Sequence, residues 1–178
     1  MTDQYSDWLE YQRQIAPLLM RQNHEAAKER LEAFLAQSLD KQIRSEALML
    51  RGSIYEDIGR LKEAERDYQE SMDLSGDHLR HYACLISLGS IHEQCGEYTI
   101  AMQDYMRAMQ VAVDDGTISC GVALYAVVGL CRGEAPAEIL QRAIQQSWGL
   151  LGMSGPVPDD FKTAVDMIIS QEGKRNSI

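Results

Sequence analysis

The sequence predicts an all-α fold, a stack of antiparallel helical hairpins finished by a C-terminal capping helix, and three observations carry that expectation. The stretch SIYEDIGRLKEAERDYQESMDL at 53–74 returns as SIHEQCGEYTIAMQDYMRAMQV at 90–111, an offset of 37 positions. In each copy, apolar residues recur at helical spacing on both sides of a glycine. No stretch combines strand-like alternation with enrichment in β-branched residues.

The letters that survive the repetition say what it is for. They are Gly52/Gly89, Ser53/Ser90, Ile54/Ile91, Glu56/Glu93, Gly59/Gly96, Ala64/Ala101, Asp67/Asp104, Tyr68/Tyr105 and Met72/Met109. Small, apolar and turn residues dominate, and these set how closely two helices approach and where the chain reverses. A reaction would instead preserve a cluster of Ser, His, Asp or Cys. The repetition is architectural.

Carrying the same step outward places Ala27 opposite Ala64, Leu31 opposite Tyr68, Tyr11 opposite Leu48, Gly133 opposite Gly96 and Ala126 opposite Gly89. Four units follow, about 8–44, 45–81, 82–118 and 119–155 of one domain spanning 1–178, the outer two degenerate as terminal repeats tend to be. In the second unit, Leu48, Gly52, Ile54 and Tyr55 mark a first helix that ends at Gly59, whose missing side chain suits a left-handed cap. Leu61, Ala64, Tyr68 and Met72 mark a second helix. Asn23, Asp77 and Asp159 are expected as helix N-caps, because their side-chain oxygens accept from open first-turn amides. Pro136 suits a first turn.

The last unit differs in character. ISCGVALYAVVGLC (118–131) is apolar almost all round, so a helix there must be covered on every side. Its cover is expected from the chain's own end: a loop at 149–160, then a capping helix at 159–172 with Phe161, Val165, Ile168 and Ile169 on one face. The alternative is a homodimer or partner contact through 118–131.

The order Leu48, Gly52, Tyr55, Gly59, Ala64, Tyr68 and then Leu88, Gly89, His92, Gly96, Ala101, Tyr105, Ala108 resembles the tetratricopeptide repeat. The first unit joins it through Tyr11, Leu18, Ala27 and Leu31, and the fourth through Ala126 and Gly133. The resemblance implies a right-handed superhelical stack, with Gly52, Gly89, Ala64 and Ala101 at close approaches and Tyr68 and Tyr105 filling the seam. The family repeat is 34 residues. The three added here are expected after the second helix, about Leu79–His81, making roughly one turn. The closing proline of the motif is missing.

The resemblance further implies a concave groove lined by first-helix positions: Gln12 and Ala16; Met49, Ser53, Glu56 and Asp57; Ile86, Ser90, Glu93 and Gln94; Ala123 and Val127. Such a surface is small, partly apolar and acidic, and suits a basic or amphipathic peptide or protein. Family members that hold the acidic tails of heat-shock chaperones use Lys, Asn and Arg here. The matching Gln12, Ala16, Ser53, Ile86 and Ser90 carry no positive charge, which argues against that ligand.

Charge agrees with this reading. Of a net −10, residues 56–118 hold 13 acids against 5 bases, while 1–55 hold 8 against 7 and 119–178 hold 6 against 5. Phosphate binding needs clustered Lys and Arg, so nucleic acid is not an expected partner. The acids also serve simply as solubilising surface. The N-terminus, with Asp3, Asp7 and Glu10, lacks the pattern of a secretory signal. The 14-residue run at 118–131 falls short of the ~20 residues that span a bilayer. Four cysteines without a Cys-x-x-Cys pair fit a reducing, cytoplasmic setting.

No phosphate loop, nucleophile elbow or His-Glu-x-x-His motif is present, so neither an enzyme nor a cofactor is expected. His78, His81 and Cys84, with His92 and Cys95, have metal-compatible spacing but no clear fourth ligand; His78 and His81 are expected in a connection. Met102, Met106 and Met109 are expected in the core. Three functions are consistent with these residues. The leading one is a protein-binding adaptor. A second is a dedicated chaperone of a secreted protein, resembling the class II chaperones of type III secretion, or an immunity protein that neutralises a basic toxin. A third is a structural subunit of a larger assembly.

Overall fold

The computed structural model describes residues 4–37, 39–115, 137–150 and 152–157, with Thr163, Met167 and Ser170, the side chains of 137–140 and 143 excepted. Among them every regular element is an α-helix and there is no strand. The chain divides after Gly76 into two compact units.

The first unit holds α1 (Gln4–Met20), α2 (His24–Leu35), α3 (Lys41–Asp57) and α4 (Leu61–Leu74), packed as consecutive antiparallel hairpins with α1 also against α3. The second holds α5 (His78–Gln94), α6 (Tyr98–Asp115) and α7 (Ala137–Leu150), α6 packing on both neighbours. The hairpins follow a tetratricopeptide-like series, each second helix starting 37 residues after the last, at His24, Leu61 and Tyr98.

One device turns the chain in all three hairpins. The amides of Asn23, Arg60 and Glu97 donate to the carbonyls of Leu18, Tyr55 and His92 at 2.9, 2.8 and 2.8 Å. Each of these six-to-one bonds closes over a left-handed residue, as at the C-terminus of a helix capped in the Schellman manner. That residue is Gly59 (φ 75°) or Gly96 (φ 76°), as expected, but Gln22 (φ 55°) in the first hairpin.

The seams show why the first unit looked degenerate. In the second and third hairpins Gly52 and Gly89 face the rings of Tyr68 and Tyr105. At the matching places the first hairpin buries Ile15 and Leu31, a redistribution of volume between facing positions that leaves both fully covered. Two turns earlier along the first helix the same seam is solved three ways. Trp8 stacks on Phe34 with ring centroids 5.1 Å apart. Ser45 and Ser71 exchange hydroxyl-to-carbonyl bonds of 2.8 Å each. Tyr82 and Ala108 occupy the matching positions of the third hairpin, and both are buried. Met102, Met106 and Met109 lie in the core, as their spacing indicated.

Three expectations are corrected. Leu79–His81 do not follow the second helix; they form the first turn of α5, because Asp77 Oδ1 accepts from the Leu79 amide at 3.0 Å and starts the helix there. The extra turn therefore lengthens the first helices, and His78 and His81 are helical. Gly149 and Leu150, expected in a loop, belong to α7, which ends only where the Met153 amide reaches the Trp148 carbonyl over Gly152 (φ 63°). Asn23 does cap α2, accepting from the Ala26 amide at 3.3 Å. Thr163, Met167 and Ser170 are helical and exposed. The run 118–131, Pro136, Asp159 and the apolar face of the capping helix lie outside the described residues.

Candidate functional site

Each unit exposes part of the expected first-helix surface. In the first, Gln12 and Ala16 lie on α1, and Met49, Ser53, Glu56 and Asp57 follow one another at helical spacing on α3. Ala16 and Asp57 are exposed and the others half-buried. In the second unit Ile86, Ser90 and Glu93 are half-buried and Gln94 exposed, all on α5. Ala123 and Val127 lie outside the described residues.

The two glutamates are held from behind. Tyr68 Oη donates to Glu56 Oε2 at 3.0 Å, and Tyr105 Oη donates to Glu93 Oε2 at 3.0 Å. The ring that fills the seam beside Gly52 or Gly89 thus ends in a hydroxyl that fixes a carboxylate on the accessible side of the first helix. One carboxylate oxygen takes the phenol, and a carboxylate has further acceptor sites for a cation or amide. The serines are less aggressive neighbours. Ser53 Oγ donates to the Leu50 carbonyl at 2.8 Å, and Gln94 Nε2 donates to Ser90 Oγ at 3.3 Å. Asp57 lies 3.6 Å from His24 Nδ1.

Deeper in the hairpins the retained Asp67 and Asp104 are both buried, and each has a different partner. Arg51 grips Asp67 through two short bonds, which raises the pKa of the guanidinium further. Leu88 stands where Arg51 would, so Asp104 is met instead by His92 Nδ1 at 2.8 Å, with Arg107 Nη1 at 3.4 Å. Burial pushes the Asp104 carboxyl above its ordinary range, against the pull of His92 and Arg107. Buried and mutually satisfied, these groups brace the hairpins. Sequence spacing showed both aspartates but could not show which base each would find.

Among the described residues no three His, Cys, Asp or Glu side chains gather as a metal site. None of the described helices is long and apolar enough to cross a membrane.

The family model of the tetratricopeptide repeat matches residues 45–78 and 82–112. The chain carries tetratricopeptide repeats. Those two repeats contain both seam glycines, both seam tyrosines and both tyrosine-held glutamates. Tetratricopeptide repeats bind proteins or peptides. No curated protein and no solved structure matches the chain.

Proposed function

We propose that this tetratricopeptide-repeat chain is a non-catalytic adaptor of the cytoplasm that captures a basic or amphipathic segment of another protein. The observation that carries the reading is the duplicated arrangement of a seam tyrosine holding an accessible glutamate, Tyr68 to Glu56 and Tyr105 to Glu93. A charge fixed before binding loses little side-chain entropy when a cation arrives, so it discriminates better than a freely rotating one. Beside each glutamate a small serine and a half-buried apolar residue, Met49 or Ile86, give space and contact for an aliphatic side chain.

The test is affinity capture from cell extract with the intact chain, then titration of the recovered partner against Glu56→Lys and Glu93→Lys. Each reversal is expected to weaken binding at least about tenfold and to reduce its salt dependence, since rim charges steer encounter and are screened by salt. Unchanged affinity for both variants at low salt would reject this surface.

A further inference from the structure

A concavity of different chemical character lies between α6 and α7 of the second unit. Thr99, Met102 and Gln103 on α6 and Arg142 and Gln146 on α7 enclose a cleft of about 100 Å³. The two helices run in the same direction beside it. One end of the pairing is at Arg142 and Thr99; five residues on, Ser147 Oγ reaches the sulfurs of Met106 and Met109, each at 3.7 Å. The floor is Met102, which is buried, and the rim is polar: Thr99, Gln103, Arg142 and Gln146 are all exposed.

None of those four rim side chains makes a hydrogen bond or ion pair with another described residue. The contrast with other helical surfaces is informative. Gln14, Gln42, Gln69, Gln94 and Gln110 each donate to a side chain four residues away, whereas Gln103 and Gln146 converge on the cleft with their donors unused. In a chain of net −10, Arg142 is a cation at the mouth of a concavity and without a counter-ion among the described residues.

Size and chemistry together select an occupant. Sites for whole small molecules enclose roughly 300–1,000 Å³, so this cleft has room for one side chain and not for a larger ligand. The floor asks for an apolar group. The planar fork of arginine, flanked by two amides, matches a carboxylate, to which it can donate twice. We propose that the cleft between α6 and α7 is a binding site for the C-terminus of a peptide ending in an apolar residue, whose side chain covers Met102 while its carboxylate meets Arg142, Gln103 and Gln146. The site is separate from the acidic first-helix surface and takes the opposite charge.

The probe is acetyl-Ala-Leu with a free C-terminus, titrated into the intact isotope-labelled chain and followed by NMR, with its C-terminal amide as comparison. The free acid is expected to shift the side-chain amide signals of Gln103 and Gln146 and to bind about tenfold more tightly than the amide, the scale of one charged hydrogen bond. Arg142→Gln, an exposed substitution whose fold is checked by its unchanged remaining spectrum, should abolish that preference. Gln103→Glu, which supplies Arg142 with a carboxylate in place, should weaken the acid as well. Glu56→Lys with Glu93→Lys should leave both affinities unchanged, which separates this site from the adaptor surface. Equal binding of acid and amide, an unaltered preference in Arg142→Gln, or no shifts at millimolar peptide would each overturn the proposal.

Discussion

Arg51 and Asp67 form a two-pronged ion pair across the α3–α4 seam, with Nε 2.6 Å from Oδ2 and Nη2 2.7 Å from Oδ1. The carboxylate is only 7% exposed and the guanidinium 21%, so water cannot replace a lost partner. Arg51→Met should therefore cost about 3 kcal/mol, the scale of stranding a buried charge. Arg51→Lys should recover only part of this, because an ammonium cannot reproduce the fork. Urea unfolding with unchanged m-value measures both, and a loss below about 1 kcal/mol, the level of a surface pair, would contradict the buried-charge account.

The matching acid of the next hairpin gives a pH dependence of known sign. Burial is the largest influence on Asp104 and raises its pKa in the folded chain above the ordinary 3.8. A carboxyl raised by folding adds stability while it is protonated, and that stability is lost as pH rises through the folded-state value. Asp104→Asn has no such proton to lose. The melting temperature of the native chain, taken relative to Asp104→Asn, should fall from about pH 4 upward; a difference that rises over the same interval would show that His92 and Arg107 outweigh burial.

Gly52 and Gly89 should respond differently to the same change. A Cβ at Gly52 would stand 3.0 Å from Tyr68 Cε1, a contact that small ring movement relieves. At Gly89 it would lie 2.5 Å from Cδ1 and 2.8 Å from Cζ of Tyr105, inside the ring's own volume. Alanine gains about 0.5–1 kcal/mol over glycine within a helix, while overpacking costs about 1–3 kcal/mol. Gly52→Ala should be close to neutral and Gly89→Ala clearly destabilising. Adding Tyr105→Leu to Gly89→Ala should restore part of the loss, which thermal unfolding of the single and double variants would register.

Gln22 occupies the left-handed position that glycine fills in the other two hairpins, at φ 55°. An ordinary residue there carries a steric cost of about 1–2 kcal/mol. Gln22→Gly should stabilise the first unit by about 1 kcal/mol and raise the melting temperature by about 2–4 °C for a chain of this size. No change would mean that the glutamine side chain makes compensating contacts at the turn.

Much of this architecture was legible in the order of the residues. Gly59 and Gly96 announce turns, Asn23 and Asp77 announce helix starts, and the Gly-to-Tyr spacing announces a close seam, because each of these is decided by backbone conformation or by neighbours within a turn or two. Glu56 and Glu93 also stood out as retained letters on an accessible face. Their fixation by tyrosine did not, since it depends on the ring tip of the second helix crossing to the first.

By itself, then, the sequence determined the helices, the places where they reverse and the positions at which they touch, all consequences of periodicity and local conformational preference. Only the tertiary structure decided how each touch is made: Trp on Phe at one level of the seam and Ser with Ser at the matching level of the next hairpin; and Arg51 or His92 beside an aspartate that both repeats keep. Those outcomes rest on side-chain volume and charge compensation between residues 12 to 26 positions apart, which only the registered packing of one helix on another brings within reach.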